Sequence, residues 1–144
     1  MIELSTAKDL VGAAELTLTN MQPYYKKYRL DWDRTTILTM TEDLNNQQIS
    51  LDGEAVGVLR LLFAADVCQL RDLQIDNHFQ NRGIGKQVLR EVVRLAEHES
   101  LKCIELKVFQ ISPAVRLYQR FGFSVQQQDE RFFYMQYQLS KGAS

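Results

Sequence analysis

The stretch LRDLQIDNHFQNRGIGKQVLREVVR, Leu70 to Arg94, decides how this chain is read. An apolar run ends at Ile75, a polar turn follows, and Gln80-Asn81-Arg82-Gly83-Ile84-Gly85-Lys86 leads straight into a segment of helical period. Ile84, Val88, Val92, Leu95 and Ala96 recur at steps of three and four, which puts them on one helix face. Strand, glycine turn and helix in that order suit an anion. The first turn of a helix carries N–H groups without internal partners, and the macrodipole adds about half a positive charge there. Gly83 and Gly85 leave room for close approach to the backbone, and Arg82 and Lys86 add formal charge.

Two familiar phosphate loops do not fit. A P-loop needs G-x-x-x-x-G-K-[ST], and Gly-Ile-Gly-Lys-Gln has neither the spacing nor the hydroxyl. A dinucleotide fingerprint needs a third glycine where Val88 stands. What remains, Gln-x-x-Gly-x-Gly, resembles the pyrophosphate loop of the GCN5-related N-acetyltransferases (GNAT). A second stretch, VFQISPAVRLYQRFGF from Val108 to Phe123, is similar to a further motif of that family, with Leu117-Tyr118 and Gly122-Phe123 in place. One helix and one strand fit between the two motifs. The resemblance is strongest over residues 55–125 and weakest over the first 45.

The resemblance implies an acyl-CoA N-acyltransferase fold of the α+β (three-layer) class. Its mixed, mostly antiparallel central sheet would have six to seven strands, flanked by about four helices, as a single domain over residues 1–144. It implies acetyl-CoA as acyl-donor cosubstrate, with no metal, and an amine-bearing acceptor that attacks directly in a ternary complex. Gln80, Asn81, Arg82, Gly83, Ile84, Gly85 and Lys86 would bind the pyrophosphate, and main chain at Leu73, Gln74 and Ile75 would meet the pantetheine arm and the acetyl carbonyl. Tyr118 matches the family's proton donor to the departing sulfur; a phenol of ordinary pKa near ~10 is protonated at neutral pH and can donate. Ser112 stands where the family often carries Asn; with the shorter side chain its cofactor contact would be lost or made through water, with Gln110 as a substitute. Asp72 is the candidate base, with Glu105 or bulk water as rivals. Tyr24, Tyr25 and Trp32 would shape the acceptor side, where aromatic faces suit a cationic amine. The alternatives on the same fold are a non-catalytic acyl-CoA-binding module and a protein-interaction module.

Bulk properties narrow the classes. The 144 residues suffice for a sizeable core. Charged residues make up 24% and hydrophobic ones 45%, as in folded globular chains. A net charge of −1 offers nucleic acid no electrostatic footprint. No run is long enough for a membrane span, and the N-terminus shows no secretory signal pattern, so the expected location is cytoplasmic. Cys68 and Cys103 lie in apolar runs and read as buried free thiols. His78 and His98 read as a loop and a helix-end residue, without a ligand cluster. A homodimer is compatible with the family.

In chain order the pattern predicts a strand at Met1–Leu4 and a helix entered through the capping pattern Thr6-x-x-Asp9. That helix should be broken in the stretch Asn20–Leu30 by Pro23. A second helix, capped by Asp31 or Asp33, should run to Leu44 with Ile37, Met40 and Leu44 inward. Strands at Gln47–Leu51, Ala55–Phe63 and Val67–Ile75 should form an antiparallel meander, turned at Asp52-Gly53. The glycine-loop helix should end near His98, and a parallel strand at 101–108 should follow by crossover. Ser112-Pro113 should open a last helix stopped by Gly122. Residues 123–127 and 131–139 should close as a hairpin.

Overall fold

The computed structural model describes residues 1–139. The elements are β1 (Ile2–Thr6), α1 (Leu10–Lys27), α2 (Arg34–Thr41), β2 (Asn45–Leu51), β3 (Glu54–Ala64), β4 (Val67–Ile75), α3 (Ile84–His98), β5 (Cys103–Phe109), α4 (Ala114–Phe121), β6 (Ser124–Gln128) and β7 (Phe132–Gln138), with a 3-10 turn at Asn77–Phe79. The seven strands are ordered β1-β2-β3-β4-β5-β7-β6. The α+β architecture of seven strands and four helices is the one expected. The chain divides into two compact units, Met1–Leu61 with Asp72–Ile84, and Leu62–Arg71 with the residues from Gly85 on.

In the first unit β1 and β2 are antiparallel, as are β2 and β3. The β2–β3 turn uses positive φ at both Asp52 (50°) and Gly53 (88°), the backbone that matches strand twist in a two-residue hairpin. The β2–β3 register passes from Ile49↔Gly57 to Ser50↔Ala55, so Val56 is an extra residue, a β-bulge. Its carbonyl accepts from Asp76 N–H at 2.8 Å, just past the end of β4. Gly57 is needed beside it: a Cβ there would run into the main-chain oxygen of Gln74.

Four expectations for the helices of this unit fail. Helix α1 does not break at Pro23 but continues to Lys27. Proline inside a helix costs about 3 kcal/mol. Against that, Tyr25 is buried with Ala14 and Ile37, and Leu18, Met21 and Trp32 pack on the same cluster; each large apolar side chain so buried contributes about 1.5–3 kcal/mol. Its N-cap is Asp9 rather than Thr6, with Oδ1 accepting from Gly12 N–H at 2.8 Å. Helix α2 starts as expected at Asp33, whose carboxylate accepts from Thr36 N–H at 2.9 Å. It ends at Thr41, short of Leu44, and Met40 is exposed rather than inward.

In the second unit β4 and β5 are parallel, from Val67↔Cys103 to Leu70↔Leu106, while β5 itself continues to Phe109. The closing hairpin inserts β7 between β5 and β6, with β5–β7 and β6–β7 antiparallel. Val88, Leu89, Val92 and Ala96 of α3 are buried, as are Ile104 and Leu106 of β5, Val115 and Tyr118 of α4, and Met135 of β7. Gly122 ends α4 with φ 126°, and its N–H is shared between the carbonyls of Tyr118 and Gln119.

Candidate functional site

The glycine loop forms with the backbone the sequence demands. Asp76 opens the 3-10 turn by accepting from His78 N–H at 2.9 Å, and that bond, with the His78 ring, holds its carboxyl below the usual range. Asn81 (φ 63°) and Gly83 (φ 79°) are both left-handed. Alternation of this kind turns successive N–H groups to one side, the geometry of an anion-binding nest. Among the described residues nothing accepts from the N–H groups of Asn81, Arg82 or Gly83. Those of Ile84, Gly85 and Lys86 open α3, where no intrahelical acceptor exists. A Cβ on Gly83 would meet nothing within 4 Å, so this glycine serves φ and leaves open space. Gly85 serves packing: a Cβ there would lie 2.9 Å from Cδ2 of Leu117. The two motifs read from the sequence therefore touch.

Two side chains of the loop point elsewhere than expected. Gln80 donates its amide to the Ile75 carbonyl at 3.0 Å, which braces the loop against the end of β4. The Arg82 guanidinium lies over the Phe79 ring, 5.3 Å from its centroid. Lys86 is exposed.

Asp72 sits in a polar cluster that sequence reasoning missed. Arg60 of β3, 1% exposed, donates Nη1–H to Asp72 Oδ2 at 2.5 Å and to Thr17 Oγ1 at 2.8 Å, and Nε–H to Asn46 Oδ1 at 2.9 Å. Gln74 donates to the other carboxylate oxygen, Asp72 Oδ1, at 2.7 Å. Asn20 of α1 donates to Gln74 Oε1 at 3.0 Å and to the Ile75 carbonyl at 2.9 Å. Burial pushes the Asp72 carboxyl above its ordinary value, against the pull of Arg60, Gln74 and the Leu73 N–H. Gln74 is buried. The one available signal was Arg60 itself, a charge inside the apolar run AVGVLRLLF. A strand buried on both faces admits a charge only with partners. Glu105, the rival base, is exposed on β5 and accepts from Gln136 Nε2 at 3.4 Å.

Tyr118 is 7% exposed on α4, its ring edge-on to Phe123 with centroids 5.6 Å apart. Ser112 accepts from Ala114 N–H at 3.1 Å, which caps α4 from one residue before Pro113. Gln110, the expected substitute, spends its amide on the β6–β7 turn, donating to the Asp129 carbonyl at 2.5 Å. The same turn is tied by Asp129, which accepts from the N–H groups of Arg131 and Phe132 and from Tyr134 Oη–H. Those bonds hold its carboxyl low and the Tyr134 phenol high.

Of the three aromatics expected on the acceptor side, Tyr25 is a core residue. Burial first and the Asp72 charge second push its phenol up to about 12. Trp32 packs edge-on against it at 5.2 Å and is half-buried, as is Tyr24. A shallow groove of about 470 Å³ between α1 and α2 is lined by Glu15, Leu18, Thr19, Asp33, Arg34 and Thr35, none of them a residue expected to act. Cys68 and Cys103 are free and buried, as expected; burial pushes Cys68 up to about 12. His78 is exposed in the 3-10 turn and His98 is the last residue of α3. Among the described residues no group of three or more His, Cys, Asp or Glu is placed to hold a metal ion, and no helix is long and apolar enough to cross a membrane.

The profile of the acetyltransferase (GNAT) family matches residues 9–123. A probable spermine N(1)-acetyltransferase of Bacillus subtilis subsp. natto is 47% identical over 51 residues, a match that spans 34% of this chain and 34% of that protein. The crystal structure of the PaiA N-acetyltransferase of Thermoplasma acidophilum in complex with coenzyme A is similar with a TM-score of 0.74 and 19% identity, over 96% of this chain and 99% of that one. The ribosomal-protein-S18-alanine N-acetyltransferase of Escherichia coli follows at a TM-score of 0.73 and 18% identity, over 97% and 95%. At these identities the structural likenesses speak to the fold.

Proposed function

The chain belongs to the acetyltransferase (GNAT) family, and from that premise we propose that it moves the acetyl group of acetyl-CoA onto a primary amine by direct attack. The observation that carries the reading is the loop Gln80–Lys86, whose main-chain N–H groups from Asn81 on are uncommitted among the described residues and whose left-handed Gly83 leaves their approach open. A diphosphate is the anion that fits such a cradle at a helix mouth. Arg82 and Lys86 add charge at its rim, and Gln80 acts from below by holding the loop to Ile75.

Transfer requires a neutral amine whose lone pair forms the new C–N bond as the C–S bond of the thioester breaks. The departing thiolate takes a proton, and the phenol of Tyr118 supplies it in this reading. Asp72 accepts the proton the amine must shed. Its raised pKa brings a carboxylate nearer to the working range of a base. A main-chain N–H in the stretch Leu73 to Ile75 is the donor for the acetyl carbonyl in this reading. Tyr24 and Trp32 contribute to the acceptor side, with Tyr25 supporting them from the core. The relative named for spermine supports placing polyamines among the acceptors to be tested. Two buried free thiols suit a reducing compartment such as the cytoplasm.

The test is thiol release from acetyl-CoA against a panel that contains spermine, spermidine, free amino acids, an alanine-initiated peptide and a lysine peptide. Turnover with at least one amine, lowered about tenfold or more in Tyr118→Phe, is expected for loss of a general acid. No release with any amine would end the transferase reading, and equal rates would remove Tyr118 from it.

A further inference from the structure

Arg60 is an expensive residue with no explanation in the fold alone. A buried ion pair is seldom more stabilising than apolar side chains of the same volume, because desolvation offsets the attraction. Here the pair is graded: Arg60 is 1% exposed, while the Asp72 side chain keeps 20% of its surface. The buried cation is fixed by three separate elements, Thr17 on α1, Asn46 on β2 and Asp72 on β4, and Asp72 alone of its partners is charged. Gln74 fixes the second oxygen of the carboxylate at 2.7 Å. The charged or titratable groups that face Asp72 are Arg60 from β3 and Tyr25 from α1, and the tyrosine is neutral at working pH.

We propose that Arg60 is a positioning residue for acetyl transfer, which holds the partly exposed Asp72 carboxylate ionised and turned so that it can take the proton of the incoming amine. This rests on the reading of Asp72 as the base. The ammonium form of the acceptor gives one proton to Asp72, which becomes a neutral carboxylic acid; the amine keeps the electron pair that attacks the thioester, and the second proton that the nitrogen sheds as the C–S bond breaks replaces the one Tyr118 gives to the sulfur. The proton then passes to water through the exposed side of Asp72, and the Arg60 charge, constant throughout, draws the carboxyl back to its ionised form.

The test follows the carboxyl carbon resonance of Asp72 through a pH titration, which requires no acceptor. An opposite charge at this range lowers a carboxyl pKa by roughly 1–3 units, so Arg60→Met should raise the Asp72 midpoint by about one pH unit or more. Arg60→Lys should restore part of that shift. With the best amine of the panel, the acid limb of kcat/KM should move up in parallel in Arg60→Met, while the KM for acetyl-CoA stays near wild type. An unchanged midpoint overturns the proposal. Should Arg60→Met not fold, Asn46→Ala and Thr17→Val loosen the guanidinium without removing its charge. A smaller shift in the same direction then supports the proposal, and none refutes it. Wild-type turnover in Asp72→Asn would instead remove the base reading, and the role of Arg60 with it. Lost turnover in Asp72→Asn beside an unmoved midpoint in Arg60→Met sinks only the inference made here.

Discussion

Gly57→Ala should be more damaging to the fold than replacement of either glycine in the sequence motif. Gly57 lies on β3 next to the bulge at Val56, with β4 running past it toward the loop. An added methyl would overlap the Gln74 main-chain oxygen, and would lie 3.1 Å from Cδ1 of Ile75 and 3.3 Å from Cδ1 of Ile49. The first neighbour is backbone and cannot rotate away, so a strand must shift. Overpacking of this kind costs about 1–3 kcal/mol. For a chain of this size each kcal/mol lowers Tm by about 3 °C, which gives a fall of roughly 3–9 °C. The strand that must yield carries Gln74, Ile75 and Asp76, which are bonded to Asn20, Gln80 and Val56. Acetyl-CoA affinity should therefore fall as well. Gly83→Ala is the control. Its methyl meets open space, and the cost is confined to the left-handed backbone, about 1–2 kcal/mol. Thermal unfolding and calorimetric titration with acetyl-CoA on both variants decide the matter. The expected order is the larger Tm loss in Gly57→Ala and, in Gly83→Ala, an affinity loss beyond what its stability explains. A Gly57→Ala protein melting within about 1 °C of wild type, inside the scatter of neutral surface changes, would refute the reasoning.

Other outcomes follow from single contacts. Asn81→Gly should leave Tm unchanged or raise it slightly, while Asn81→Val should cost about 1–2 kcal/mol in denaturant unfolding, because φ 63° is closed to β-branched residues. Gly85→Ala should be milder than Gly57→Ala, since the obstructing atom is the end of the flexible Leu117 side chain; its Tm loss should shrink when combined with Leu117→Ala. Cys68, fully buried with its thiol pushed up to about 12, should react with a thiol reagent only on unfolding. Asp129 has a depressed folded pKa. Its bonds to the β6–β7 turn should hold at pH values above the ordinary carboxyl value of about 3.9 and be lost as pH falls through its lower folded value. The Asp129 carboxyl resonance should titrate below that of an exposed aspartate, and Asp129→Asn should abolish this dependence.

How much of this the sequence discloses depends on the range of the forces involved. Local chemistry was legible. Asp52-Gly53, the Ser112-Pro113 start, the Gly122 stop and the full extent of α3 each follow from a few neighbouring residues, and β4 has the bounds read from its apolar run. Pro23 misled for the same reason: its cost is local and readable, whereas the burial of Tyr25 against Ile37 and Trp32 that outweighs it comes from residues up to a dozen positions away. The loop's anion-binding backbone was foreseeable, because left-handed φ is written in Asn and Gly. The inward turn of Gln80 was not, because its acceptor is a main-chain carbonyl and carries no residue signature.

The Arg60 cluster is the extreme case. Thr17, Asn46, Arg60 and Asp72 are scattered over four elements, and apart from Arg60 none of them alone departs from an ordinary surface residue of a helix or strand. Their meaning appears only when the strands are in register and Arg60 is found to be 1% exposed. A chain can place a permanent charge there only by bringing the partners with it. The position that looks least functional in the sequence, an arginine inside a run of aliphatic residues, is then the one that fixes how the most chemically suited carboxylate is held.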